Sequence, residues 1–365
     1  MVNNAQRDNN IDLLRIIAIF FVIIAHAMGP YLTRESIEEN VTVSLCVYEA
    51  LTACSVNTFF IISGAFVLSN DRYESFSTFY RHITKTIVIP TLIFSAYYFL
   101  YASLPQLIKG DYQAALNELS ETVQGRPYYH LWYLYALLSM YLFVPAIIRL
   151  RKIVEGSVFD RIAILVFISS TVSDMTSAHK FQYDPGSAYR YVGYLFMGYV
   201  IYKHRKSENN RKYLIAFILG FIVLTVGKYM IYSGTLFSTL GICCITVLEH
   251  FLSLLLFGLF SGLKIKACFP RLASLGFYMY LLHALILDTV RKGIFIVTGS
   301  DDLLYYFPDG MSVLAISGVV FILSFAAAYI YNCFYKVVDT RFHIREKMYN
   351  LIEKLIKGIM GCSKT

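Results

Sequence analysis

An arginine and a histidine interrupt the first apolar stretch of this chain, Asp12-Leu-Leu-Arg15-Ile-Ile-Ala-Ile-Phe-Phe-Val-Ile-Ile-Ala-His26. Apart from these two and Asp12, the segment has the composition of a membrane-spanning helix. Ionisable groups at membrane depth are costly, which is why they mark function. Eleven helical steps at roughly 100° each return to within about 20° of the starting direction, with roughly 16 Å of rise. Arg15 and His26 therefore share one face, one near the start of the helix and one most of the way across. A cation and a titratable imidazole so placed bracket a long substrate with an anionic head. The structural alternative is that Arg15 snorkels to the inner interface and His26 is a satisfied polar residue in a helix bundle.

The rest of the chain makes the membrane reading general. Hydrophobic residues are 57% of 365, charged residues only 15%, and the mean hydropathy is +0.56. Soluble domains run near a quarter charged. Tyr (30) and Phe (28) supply nearly all the aromatic content, and much of the Tyr falls near segment ends, as an interfacial belt requires. The net charge of +8 comes from short basic clusters beside apolar runs, with no long basic arm, so nucleic acid is not an expected partner. Seven cysteines show neither metal-ligand spacing nor a disulfide framework, and no metal is expected. The start of the chain imitates a secretory signal, with Arg7, an apolar core and Ala25-His26-Ala27. Asp8, Asp12 and Arg15 within it argue against cleavage.

Apolar stretches near 20 residues give about ten candidate spans: 12–30, 47–69, 87–105, 130–149, 160–175, 189–203, 213–232, 238–262, 272–290 and 312–336. The fold class is thus an all-α polytopic membrane protein. With both termini in the cytoplasm, the inner side receives 24 Lys and Arg and the outer side 7, with Lys228 inside a span. So strong a positive-inside bias appears only for an even number of spans. Residues 1–338 form the transmembrane domain. Residues 339–365 form a cytoplasmic tail that alternates apolar residues with Arg345, Lys347, Lys354 and Lys357, as an amphipathic helix on the inner membrane surface would.

Polar groups inside the other spans are few. Ser63 and Gly64 close the second, and small residues of this kind let a neighbouring helix approach. The inner loop after it carries Arg72, Arg81, His82 and Lys85 and ends at Pro90. The fourth segment opens His130-Leu-Trp132-Tyr133-Leu-Tyr135, at the outer interface where aromatic rings belong and where sugars find a platform. In the ninth, Tyr280 and His283 are three apart and share a face. Glu249-His250 is the remaining pair within a span; a Glu left unpaired there would be protonated.

Together these residues resemble the acyltransferase-3 family of integral membrane acyltransferases. The likeness rests on Asp12-x-x-Arg15-x(10)-His26, then Phe59-Phe60-x-x-Ser63-Gly64, the basic loop ending at Pro90, and Ser274-x-Gly276-x-x-x-Tyr280-x-x-His283. It extends over essentially the whole chain. His130-Leu-Trp132-Tyr133-Leu and Gly193-Tyr194-x-x-x-Gly198-Tyr199 look like the branch that O-acetylates sugars of bacterial surface polysaccharides. Two departures stand out. The paired arginines common in the family's inner loop are here Arg81-His82-x-x-Lys85, and the Pro before Phe-Phe is replaced by Asn57-Thr58.

The resemblance implies a multi-pass O-acetyltransferase of the cell (plasma or inner) membrane. It would move an acetyl group from cytoplasmic acetyl-CoA to a sugar hydroxyl of a cell-surface or lipid-linked glycan. Arg15, Arg81 and Lys85, with Ser63, are the expected CoA-binding residues, the cations attracting its phosphates. The pantetheine arm then runs along the first helix to His26, the expected general base. Direct transfer is preferred to an acyl-histidine intermediate, because no second nucleophile stands out. His130, Trp132, Tyr280 and His283 are the expected acceptor-binding residues, and membrane lipids are the other partner. Two other classes remain open: a proton-coupled carrier of an organic anion or acylated metabolite, using Lys228, Glu249 and His250, and a sensor that binds a lipid-linked glycan without chemistry.

Overall fold

Asp8 starts the first helix. Its carboxylate accepts the backbone N–H of Asn10 at 3.1 Å and of Ile11 at 3.4 Å, two donors with no carbonyl partner inside the helix. The computed structural model describes residues 8–32, 39–177, 188–235, 239–266, 269–299 and 310–361. After α1 (Asn9–Leu32) come α2 (Glu39–Thr52) and α3 (Ser55–Val67), then a 3-10 turn (Asp71–Glu74), α4 (Phe76–Ile83) and a π-helical turn (Thr84–Val88). The chain continues through α5 (Ile89–Ile108), α6 (Tyr112–Val123), α7 (Trp132–Tyr141), α8 (Val144–Ile153), α9 (Gly156–Ser177) and α10 (Tyr189–Lys203). It ends with α11 (Asn210–Tyr232), α12 (Thr239–Ser261), α13 (Pro270–Thr298), α14 (Met311–Phe342) and α15 (Ile344–Gly361). There is no strand among the described residues.

Each of the ten expected segments falls on helix. Among the described residues seven are long and apolar enough by themselves to cross a membrane; α7 and α8, bent by 43° at their junction, make an eighth if counted as one span. The other two are α10, only 15 residues long, and α13, 29 residues long but interrupted by His283, Asp288 and Arg291. Pro270 opens α13, and Gly299, at φ 71°, closes it, the usual asymmetry of helix ends. On α11 the exposed face is Leu214, Ile218, Leu219, Ile222 and Val226, a surface suited to lipid and not to water.

The helices gather into two units. The first takes the described residues of Met1–Ser69, Asp160–Lys180 and Arg190–Tyr329, and the second those of Asn70–Phe159, Phe181–Tyr189 and Ile330–Thr365. In the first, Ile19, Ile23 and Ala27 of α1, Leu45 of α2, Leu275 and Met279 of α13, and Val313 and Ile316 of α14 share one apolar core. That core sets α1 beside α13. Gly64 of α3 and Gly198 of α10 bring two backbones together. A Cβ on Gly64 would stand 1.8 Å from the Leu195 carbonyl oxygen, and one on Gly198 would stand 2.0 Å from that of Ile61. The small-residue reading of the Ser-Gly pair therefore holds for its glycine.

Several ionisable residues inside the first unit are paired. Lys228 Nζ lies 2.8 Å from Glu49 and 2.7 Å from Glu249, and the Tyr232 hydroxyl donates to Glu49 at 2.9 Å. Glu249 is thus not the unpaired carboxylate considered from the sequence. Its partner lies on α11, which faces α12 across a short connection. Asp174 stands 3.5 Å from the His250 ring nitrogen and 3.7 Å from Arg190.

In the second unit, Arg151 and Lys152 of α8 pair with Asp71 and Glu74 of the 3-10 turn. The π-helical turn widens the backbone ahead of Pro90, where the Ile89 N–H reaches the carbonyl of Thr84 five residues back. Helix α14 runs past residue 338 to Phe342. The chain then breaks at His343, with φ 50°, so the tail helix begins at Ile344.

Candidate active site

His26 of α1 meets His283 of α13 ring against ring. The centroids are 5.4 Å apart and the planes 26° from parallel. His283 is fully buried, while His26 is half-buried. His283 Nδ1 lies 2.6 Å from the Tyr280 carbonyl. A carbonyl only accepts, so Nδ1 carries the hydrogen of that bond, which fixes the orientation of the ring. The Tyr280 ring lies 5.5 Å from that of His283 and 6.4 Å from that of Phe59. Tyr280 and His283, three residues apart on one face, are where their spacing put them.

Arg291, counted in the sequence only as a flanking charge, turns out to support this pair. Its Nη2 donates to the His26 carbonyl at 2.8 Å and to the Ala27 carbonyl at 3.0 Å. The sequence explains why the first needs a donor. The residue four beyond His26 is Pro30, which has no N–H to offer. A guanidinium from α13 takes that place and ties the two helices together beside the two imidazoles.

At the other end of α1, Arg15 Nη1 pairs with Asp12 at 2.9 Å. Asp12 is buried, while the Arg15 side chain is about one-third exposed. The guanidinium carbon lies 5.0 Å above the Phe66 ring of α3. Arg15 is therefore a held, stacked cation that remains partly exposed, not a side chain reaching away to the interface. Asp12 and Arg15 are three apart, so the ion pair follows from helical spacing alone.

This is the Arg-x(10)-His helix of the resemblance, assembled with its C-terminal Tyr-x-x-His partner. A family model for an acyltransferase domain, Acyl_transf_3, matches residues 8–333. The chain belongs to the acyltransferase-3 family. It is a multi-pass membrane acyltransferase. No curated protein and no solved structure matches it. The matched stretch starts at the cap of α1, takes in both histidines, Tyr280, Arg291, Asp12 and Arg15, and ends within α14, leaving α15 outside.

The remaining expected site residues of this acyltransferase lie as follows. Ser63 is half-buried in α3, next to the glycine that seats α10. Arg81 and Lys85, in the second unit, come together around the tail helix. Lys85 pairs with Glu346, Arg81 lies 3.5 Å from the same carboxylate, and both cations lie over the Tyr349 ring, at 5.5 and 4.9 Å. The Lys85 hydrogen bond holds the Glu346 carboxyl below its ordinary range. The tail is a helix, as its pattern predicts, but its first turns dock on these two cations; a helix resting only on lipid is not what the structure shows.

His130 and Trp132, expected as an interfacial platform for the acceptor, are instead in the interior of the second unit, 1% and 8% exposed. The His130 ring sits 4.9, 5.8 and 5.6 Å from those of Tyr98, Tyr128 and Tyr129. The aromatic run that reads as a sugar platform is a packed cage here.

Asn57, where the family carries Pro, has a structural use. Its amide donates to the Ala53 carbonyl and to Ser253 Oγ, both at 3.2 Å, tying α3 to α12. Glu49, Asp174 and Arg291 are the residues that sequence reasoning missed. Only Arg291 had a signal, the proline four residues after His26.

Proposed function

We propose that this acyltransferase moves an acetyl group from cytoplasmic acetyl-CoA to a hydroxyl of a cell-surface or lipid-linked glycan, with His26 as general base. The observation that carries this reading is the His26–His283 pair, held by the Tyr280 carbonyl on one side and by Arg291 on the other. A half-buried imidazole stacked on a fully buried one is partly exposed to a substrate, and its fixed neighbour limits its rotation. In the step, the sugar oxygen attacks the thioester carbonyl carbon and His26 takes the hydroxyl proton. The tetrahedral intermediate collapses by breaking the C–S bond, and the proton passes to the departing CoA sulfur. Acceptor oxygen and acyl carbon meet directly, with no acyl-enzyme. Arg15, roughly 16 Å below His26 along α1, binds a phosphate of the donor by a charge-assisted hydrogen bond.

Tyr280 and His283 lie within reach of the reacting groups and orient the acceptor. The carrier reading has less to rest on, because the Lys228 ammonium is engaged by both Glu49 and Glu249. Purified protein with radiolabelled acetyl-CoA and glycan acceptor tests the proposal. His26→Ala should abolish transfer while the variant still binds acetyl-CoA. Turnover at the wild-type rate would remove the general-base role.

A further inference from the structure

The first unit contains a polar recess of about 250 Å³ at the start of α1, on the end that the charge count places inside. Its walls are residues 8–10 of α1 and its cap, Tyr202 and Arg205 at the end of α10, and Lys264 and Ile265 beyond α12. Clefts for whole small ligands begin near roughly 300 Å³, so this one suits one end of a longer molecule.

The recess is built. The Asn10 amide donates to the Leu263 carbonyl and its oxygen accepts the Ile265 N–H at 3.0 Å, which clamps the segment carrying Lys264 against α1. The Tyr202 hydroxyl donates to Asp8 at 3.2 Å. The Arg205 guanidinium lies 3.6 Å over the Tyr202 ring. Asp8 is already engaged in capping α1, and its approach to Arg205 is 4.0 Å. Lys264 is exposed and makes no ion pair among the described residues. Arg205 and Lys264 against Asp8 leave the recess with a net positive charge.

It is also continuous with Arg15. Arg15 lies over Phe66 at 5.0 Å, Phe66 contacts Tyr202 at 5.4 Å, and Tyr202 is covered by Arg205. Cation, ring, ring and cation form one contiguous row from Arg15 to the recess, the two rings tilted 47° to each other. A guanidinium stacked on a ring offers its other face to a second planar group and its edge to a phosphate. From Asn10 to His26 is 16 helical steps, about 24 Å.

We infer that this recess seats the nucleotide end of the acyl donor: a phosphorylated adenosine whose base stacks on Arg205 and whose 3′-phosphate meets Arg205 and Lys264, its pyrophosphate reaching toward Arg15. The arm then passes Arg15 and delivers the thioester to His26. The inference rests on the reading of an acyl-CoA donor, and it assigns that donor's anchor to residues outside every motif singled out in the sequence.

The test compares two donors on the full-length protein in lipid nanodiscs. S-acetylpantetheine has the thioester and arm but no nucleotide. In Arg205→Ala/Lys264→Ala the KM for acetyl-CoA should rise tenfold or more, with transfer from S-acetylpantetheine unchanged, which also reports that the variant is folded. Adenosine 3′,5′-bisphosphate should compete with acetyl-CoA in the wild type and lose this effect in the variant. A wild-type KM in the double variant, with bisphosphate still competing, overturns the recess and leaves the proposed function standing. A wild-type protein that neither binds nor uses acetyl-CoA overturns both. If an anionic lipid head group occupies these cations instead, the KM follows the phosphatidylglycerol content of the nanodisc and the bisphosphate has no effect, which overturns the inference as well.

Discussion

Gly64→Ala adds one methyl group where two helices touch by their backbones. The new Cβ would lie 1.8 Å from the Leu195 carbonyl oxygen, 2.6 Å from its carbon and 2.7 Å from its Cα. Ordinary contact begins at 3.4 Å, so the shortest approach falls 1.6 Å short. All three atoms are backbone of α10, and no rotamer change can relieve them. The helices must separate by an amount close to that shortfall, and Gly198, which rests on Ile61 and Ala65 of α3, loses its seat as they do. Overpacking of a core costs about 1–3 kcal/mol, and a purely backbone clash belongs at the upper end, about 3 kcal/mol. Gly318→Ala in α14 is the control, since nothing stands within 4 Å of its added Cβ and alanine is the better helix former. The assay is thermal unfolding in one detergent, followed by loss of monodisperse protein. Gly64→Ala should melt several degrees below the wild type, and Gly318→Ala at or slightly above it. Gly64→Ala/Gly198→Ala should cost less than the two singles together, because one separation serves both methyl groups. A Gly64→Ala protein that melts with the wild type refutes the backbone-to-backbone packing of α3 on α10.

Arg15→Ala should weaken acetyl-CoA binding roughly tenfold to a hundredfold, the equivalent of one charge-assisted hydrogen bond of about 1.5–3 kcal/mol. It also leaves buried Asp12 without its guanidinium, so titrations of Asp12→Asn and Asp12→Asn/Arg15→Ala separate the two effects; equal affinity in these two would return Arg15 to a purely structural role. Lys228→Met should destabilise by about 2 kcal/mol, below the usual 3–5 for a broken buried pair because the three side chains retain partial exposure. Glu49→Gln/Lys228→Met/Glu249→Gln should melt closer to the wild type than the single variant, and the opposite order would argue against a charge-pairing role. Because the Glu346 carboxyl is held below its ordinary 4.5, tail docking should persist above that pH and be lost as pH falls through the lowered value. Spin labels at Thr78 and Glu353 should move apart on acidification, and Glu346→Gln should reproduce the change at neutral pH. A distance unaffected by either would rule out the carboxylate as the latch.

Local order was legible in the residues themselves. The length of the apolar stretches placed about ten helical segments, because a chain in lipid must satisfy its backbone hydrogen bonds within each segment. The Asp8 cap, the Asp12–Arg15 pair, the shared face of Tyr280 and His283 and the tail helix all depend on separations of two to four residues, and α-helical geometry fixes these. The stacking of His26 on His283, 257 positions apart, is of another kind. It exists because Ile19, Ile23 and Ala27 share a core with Leu275 and Met279, and no periodicity within either helix names its neighbour. Glu49 and Lys228 were equally hidden from each other, and so was the burial of His130 and Trp132: an aromatic run at a helix start has the same composition whether it faces lipid, a sugar or its own tyrosines. Pro30 shows the boundary between the two. The sequence alone determined that the His26 carbonyl would lack its helical donor, and only the tertiary structure decided that Arg291 would be the group to supply one.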